Sequence, residues 1–208
     1  ADPFETDCAD SPRLEPDSSP GDYREHVERI KEYIASGDVY QVNYTFTMKG
    51  EFHGDPLSLY RRIARWQNSS FNAFIDTGRF CIISASPELY FSLQDGVVRT
   101  RPMKGTARRG RWLEEDRLQI AALRASPKER AENLMIVDLL RNDLGMIAET
   151  GSVTVESLFD VETYPTLHQM TSTVAATVRS GVGLAGIFSA LFPCGSVTGA
   201  PKRRSMAI

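Results

Sequence analysis

The sequence is short of the features that mark several protein classes. Its 208 residues hold three cysteines, Cys8, Cys81 and Cys194. They are scattered, odd in number and without metal-ligand spacing, which argues against a disulfide framework or a structural zinc site. Such usage fits a reducing compartment, so a cytoplasmic location is expected. No apolar run approaches the ~20 residues of a membrane span, and no signal peptide is visible, so no membrane association is expected. Charge of one sign is not in excess either: 24 Lys+Arg face 27 Asp+Glu, a net −3. Without a basic field, or aromatics interleaved with the arginines, nucleic acid is not an expected partner. Internal repeats are absent. What remains is a chain long enough for one substantial domain or two small ones.

Residues 1–21, with "SPRLEPDSSPG", read as tail or linker, and "ADPFE" as a vector-derived remnant. From Asp22 the pattern changes, and 22–208 reads as a folded domain. "DYREHVERIKEYIASGD" has Val27, Ile30 and Ile34 at helical spacing, with Asp22 as cap and Gly37 as stop. "VYQVNYTFTMKG" alternates like a strand, and "DPLSLYRRIARWQ" is a helix with Pro56 in its first turn. Residues 71–103 read as an antiparallel meander turning at Thr77-Gly78 and Asp95-Gly96. Two helices follow, the second closed by Gly145; then strands "GSVTVESLFDVETYP" and "TSTVAATVR", and a helix "GLAGIFSALF". "GSVTGAPKRRSMAI" reads as a loop entering a helix with Pro201 in its first turn. That uncapped helix is cut short at Ile208, so the chain is expected to be a fragment.

A few residues can carry chemistry. A two-residue turn at Asp95-Gly96 makes paired positions sum to about 191, so Glu88 faces Met103 and Lys104 faces Pro87. An acid and an amine distant in sequence then meet at one end of a ribbon. Strict alternation would send them to opposite faces, but Pro87, Pro102 and Gly105 are residues that break alternation. A strand-end salt bridge and an acid beside a nucleophile both fit. Glu129 and Glu132, at i and i+3, put two carboxylates on one helical face. That is ordinarily a solvated acidic face, but it also suits Mg²⁺, which takes one or two carboxylates plus waters. His168 sits between strand-like segments in apolar company, as hydrogen-bonded core histidines do. "GSVTGAPK" lacks the Gly-Lys-Ser/Thr order of a phosphate loop, yet offers backbone N–H groups at a helix start, for capping or for a carboxylate.

Taken in order, "GDVYQVN", "SASPELYF", "RPMKGT", "AENLMIVDLLRNDLG", "ETYPTLHQM" and "GSVTGAPKRRSM" resemble the chorismate-utilising enzymes. The resemblance covers nearly everything from Asp22 to the end and implies that 22–208 is a partial chorismate-binding catalytic domain. It implies an α+β fold, a sandwich of antiparallel sheets with helices outside and incomplete at its C-terminus, around a Mg²⁺-dependent chorismate site. By position, Glu88 resembles the general acid/base at the departing 4-hydroxyl, and Glu132 and Glu129 the metal carboxylates. Thr106, His168 and the backbone around Gly195, Thr198 and Gly199 resemble parts of the substrate pocket. Gln41 stands where isochorismate- and salicylate-forming members carry a lysine base, so those reactions are disfavoured. Lys104 stands where anthranilate synthases usually have alanine; Pro-Met-Lys-Gly-Thr resembles the aminodeoxychorismate synthase component I branch, with Lys104 as nucleophile. Asn133, where the anthranilate branch usually has histidine, points the same way. The resemblance further implies ammonia from a separate glutamine amidotransferase, since no cysteine motif for glutamine hydrolysis is present. Anthranilate synthase component I is the second reading, and an inactive fragment or non-catalytic relative the third.

Overall fold

A computed structural model describes residues 13–208; the remnant expected at residues 1–5 and Cys8 lie outside them. The chain divides into two compact units. One comprises the chain up to Glu32 with Tyr44–Pro87, the other Tyr33–Asn43 with Glu88–Ile208.

In the first unit, β1 (Glu15–Pro16) pairs antiparallel with β3 (Met48–Lys49), so regular structure begins inside the stretch expected to be a tail. Helix α1 (Pro20–Ala35) starts before Asp22. The Asp22 N–H donates to Ser19 Oγ at 3.1 Å and the Ser19 N–H to Asp22 Oδ2 at 3.2 Å. This reciprocal box makes Ser19 the cap and Asp22 its first-turn partner. Helix α2 (Pro56–Gln67) is capped by Asp55, whose carboxylate accepts from the Leu57 and Ser58 N–H groups. β4 (Phe71–Asp76) and β5 (Cys81–Ser86) pair from Phe71↔Ser86 to Asp76↔Cys81 around the expected turn, with Gly78 at φ +76°. They form a separate two-stranded ribbon, so the continuous meander expected over 71–103 is in fact split.

The second unit is built on a five-stranded sheet. β6 (Leu89–Gln94) and β7 (Val97–Arg101) turn through Asp95 (φ 52°) and Gly96 (φ 75°), the two left-handed residues of a type I′ hairpin. β7 and β8 (Met103–Arg108) lie end to end along one edge of β10 (Leu167–Thr177), and β9 (Thr154–Thr163) takes the other edge. His168 thus lies within the central strand rather than between two strands. On β10 the even positions His168, Met170, Ser172, Val174 and Ala176 are at most 2% exposed. Helices α3 (Leu113–Ala125) and α4 (Pro127–Gly145) pack on β8 and β10. α4 buries Asn133, Ile136, Val137, Leu140, Asp143 and Leu144, the i, i+3, i+4 stripe of an amphipathic helix. Gly145 stays inside α4, and Met146 in right-handed geometry ends it, so no glycine stop is used.

The core joins Val98, Ile136, Leu140, Leu144 and Val174 to Ile187 and Leu191 of α5 (Leu184–Leu191). Each such aliphatic side chain contributes about 1.5–3 kcal/mol on burial. The strand expected over 39–50 shrinks to two short pieces with different partners. One is β3; the other is β2 (Gln41–Val42), which pairs with β11 (Gly199–Ala200). Around β11 the last stretch is broken into short helices α6 (Gly195–Thr198) and α7 (Lys202–Ser205), with Pro201 capping α7 instead of sitting in its first turn. The architecture is α+β, with antiparallel sheets and packed helices. Among the described residues no helix is long and apolar enough to cross a membrane.

Candidate active site

Lys104 is placed by a bulge. Along β8 and β10, Gln169 pairs with Thr106 and Thr171 with Met103, so Lys104 and Gly105 together face Met170. Gly105 absorbs the extra residue at φ +101°, where a side chain is strained. A Cβ there would also lie 3.2 Å from the Cβ atoms of Glu129 and Met170. Helix α4 therefore lies close against the sheet beside Lys104. Buried Asn133 stitches the junction: its Nδ2 donates to the carbonyls of Lys104 (3.3 Å) and Met170 (3.5 Å), and its Oδ1 accepts from Ser172 Oγ at 2.5 Å.

Glu88 reaches the same place by a different register from the one expected. Gln94↔Val97 to Ser92↔Arg99 keep the sum of 191. A bulge between Leu89 and Ser92 then sets Leu89 opposite Arg101. The strict facing of Glu88 to Met103 and of Lys104 to Pro87 is therefore not kept, because the bulge displaces the register before the ladder ends at Leu89 and Arg101. The acid and the amine are neighbours nonetheless. The Glu88 carboxyl accepts from the Met103 backbone and the Ser196 hydroxyl and feels the charge of Lys104. Burial outweighs all three and holds its pKa above the ordinary value of 4.5. A carboxyl that holds its proton more tightly because it is desolvated is better suited to deliver that proton to a leaving group.

The Lys104 Nζ donates to the Ser196 carbonyl at 3.0 Å, and the Asn43 side-chain amide donates to the same carbonyl at 3.0 Å. Ser196 is 6% exposed, and its Oγ lies 3.0 Å from Cys194 Sγ. Burial pushes the Cys194 thiol up, so it stays an S–H rather than a thiolate. Gln41 pairs with Ala200, and its buried Oε1 has no hydrogen-bond donor among the described residues. Gly199, at φ +150°, passes so close to the Gln41 carbonyl that a Cβ would be 2.2 Å from it. The Thr198 hydroxyl is spent on the Cys194 carbonyl at 3.0 Å, and Gly195 is packed against Leu139.

Glu129 and Glu132 occupy the start of α4, where the Ser126 hydroxyl accepts from the Glu129 N–H. The Lys128 ammonium lies 3.7 Å from an oxygen of each carboxylate. One positive charge thus already draws both. That suits the pair to a divalent cation completed by water and substrate oxygens. Among the described residues no group of three or more His, Cys, Asp or Glu forms a fuller cage.

Thr106 and His168 fall on opposite faces of the sheet, since Thr106 pairs with Gln169 and His168 with Ala107. Thr106 is exposed, and its hydroxyl donates to Gln169 Oε1 at 2.9 Å. His168 is fully buried, with Nε2 2.9 Å from Asp116 Oδ1 and Nδ1 3.0 Å from Thr163 Oγ1. Arg109 donates twice to Asp116 from Nε and once from Nη2, and the Gly110 N–H adds another bond. These hold the Asp116 carboxyl far below the usual range. Sequence reasoning missed Ser196, Asn43 and Cys194. Only their position in "CGSVTGAPK" and "QVN", inside stretches already singled out, hinted at them.

A chorismate binding enzyme model matches residues 5–208. The chain belongs to that family. It is 45% identical over 187 residues to aminodeoxychorismate synthase component 1 of Klebsiella aerogenes, covering 90% of this chain and 42% of that protein. Anthranilate synthase component 1 of Aquifex aeolicus is 40% identical, over 90% of this chain and 38% of the relative. In structure the chain resembles anthranilate synthase component I from Streptococcus pneumoniae, with TM-score 0.85 and 33% identity over 95% of this chain and 43% of the other. The chain therefore spans about two fifths of the length of these relatives.

Proposed function

We propose that the complete polypeptide carrying this chain is component I of an aminodeoxychorismate synthase, replacing the 4-hydroxyl of chorismate by an amine. The observation that carries this reading is the meeting of Glu88 and Lys104 beside Ser196. It is supported by relatives of that name at 45% and 41% identity. Lys104 is the nucleophile: its neutral amine bonds to ring carbon 2 while the bond from carbon 4 to oxygen breaks. Glu88 gives its proton to the departing hydroxyl, which leaves as water. Ammonia then bonds to carbon 4 and the lysine departs from carbon 2, so hydroxyl is exchanged for amine without redox change. The covalent step divides one hard displacement into two, and the placed acid contributes about 10²–10⁴-fold.

Glu132 and Glu129 would hold Mg²⁺, which when bound neutralises and orients the ring carboxylate. Gln41 can accept a hydrogen bond from a ring substituent but cannot take a proton from water, which disfavours hydration at carbon 2. In this reading Thr106 and the backbone at Gly195, Thr198 and Gly199 face the substrate. His168 acts through the strand it anchors. Ammonia is supplied by a glutamine amidotransferase partner, and the enzyme works in the cytoplasm.

The test uses the complete natural polypeptide with chorismate, Mg²⁺ and ammonium, the product being separated by chromatography. Aminodeoxychorismate is expected from the wild type, falling at least 10²-fold in Lys104→Ala. Anthranilate as product, undiminished in Lys104→Ala, would replace this reading with the anthranilate one.

A further inference from the structure

We propose that Ser196 is the positioning residue that ties the acid to the amine, its hydroxyl holding Glu88 while its carbonyl holds Lys104. The inference rests on the reading of Glu88 and Lys104 given above. Ser196 is buried, and every polar atom of its side chain and carbonyl is engaged. Asn43 Nδ2 and Lys104 Nζ converge on the carbonyl at 3.0 Å each. On the hydroxyl side, Cys194 Sγ lies 3.0 Å from Oγ and the Glu88 carboxyl accepts the remaining bond. A serine has one hydroxyl proton. When it points to Glu88, the thiol must donate to Oγ, so the line runs from S–H to O–H to carboxylate.

That direction matters after proton transfer rather than before it. Protonated Glu88 is neutral and tolerates burial. Once its proton has gone to the leaving hydroxyl, a carboxylate stands in a desolvated site, stabilised by the Ser196 hydroxyl, the Met103 N–H and the Lys104 charge. Ser196 thus acts mainly on the state that forms as the bond at carbon 4 breaks, and should affect kcat more than KM. The grip on Lys104 and Asn43 comes from the backbone, so a side-chain change leaves it in place. The charged or titratable groups facing Glu88 are Lys104 and Cys194.

The experiment compares wild type, Ser196→Ala, Ser196→Thr, Lys104→Ala and Glu88→Gln in the complete polypeptide with chorismate, Mg²⁺ and ammonium. Ser196→Ala should lower kcat about 10–100-fold, the range for losing a hydrogen bond to a charged group. Its chorismate KM should stay within about threefold, and Ser196→Thr, which keeps the hydroxyl, should recover most of the loss. The alkaline limb of the pH–rate profile, where the Glu88 acid loses its proton, should move to higher pH in Ser196→Ala, because the carboxylate has lost a donor. Wild-type kcat in Ser196→Ala, with Lys104→Ala and Glu88→Gln inactive, overturns this inference and leaves the functional reading standing. Equal loss in the Ala and Thr variants with unmoved pH limbs, or a melting point lowered in step with kcat, overturns it in favour of packing. Full turnover in Lys104→Ala removes the functional reading itself.

Discussion

At the scale of single residues, the site is a set of polar groups that the fold could bury more cheaply as apolar ones. Glu88 is the clearest case. Its carboxyl has a folded pKa above the ordinary value, chiefly from burial. A raised carboxyl pKa means that the folded state binds more protons than the unfolded one as pH rises past the ordinary range. Stability is therefore lost through that window. Glu88→Gln keeps the shape and removes the charge. Its melting temperature should equal that of wild type near pH 4 and exceed it at pH 8, while turnover disappears. Thermal melts across pH check this; a variant less stable at pH 8 would mean that the carboxylate is well accommodated after all. Some of this chemistry was legible beforehand, because Glu88 and Lys104 are ionisable residues beside turn and bulge signals, and Glu129 and Glu132 share one helical face at i and i+3. Ser196 and Cys194 were not, since a serine and a thiol in a glycine-rich stretch have no period or spacing to mark them.

At the scale of elements, a buried ion pair ties α7 to α4 and α5. Lys202 Nζ donates to Asp143 Oδ2 of α4 and, at 3.1 Å, to the Leu191 carbonyl at the end of α5. Asp143 is 4% exposed, and burial raises its carboxyl pKa against the pull of Lys202. Removing one partner strands the other, so Lys202→Met should cost about 3–5 kcal/mol. The double variant Lys202→Met with Asp143→Leu should recover much of that. Urea unfolding of the three proteins measures it, and a loss under about 1 kcal/mol would show that the pair is wet. The sequence announced the hairpin at Asp95-Gly96 and the break at Gly105, because both need backbone conformations that few residues adopt. It did not announce the bulge between Leu89 and Ser92, where no glycine or proline stands. Nor did it show that residues 39–50 would give β2 and β3 to different partners. Alternation in a strand records which face is buried, not which chain segment lies alongside.

For the whole molecule, the two units are built differently. β10 is paired on both edges, and its even-numbered residues are sealed by helices. The β4–β5 ribbon has only two strands and leaves Ile75, Phe80 and Ile82 45–60% exposed. Local opening is governed by such differences in burial and pairing. Amides from Met170 to Ala176 should exchange with deuterium most slowly. Those of the β4–β5 ribbon should exchange at least about tenfold faster, which corresponds to roughly 1.4 kcal/mol of easier opening. Hydrogen exchange read by mass spectrometry decides this, and equal protection would mean that the units open as one.

By itself the sequence determined most of the longer helices and strands, the two hairpin turns and the family, because hydrophobic period, left-handed turn residues and the order of short motifs are all local. Only the tertiary structure decided that Ser196, 92 residues beyond Lys104, would hold that lysine through its carbonyl. It also decided that His168 would be sealed between Asp116 and Thr163, and that Glu129 would settle over Gly105. Those placements depend on which surfaces bury one another, and burial is a property of the whole chain rather than of any window along it.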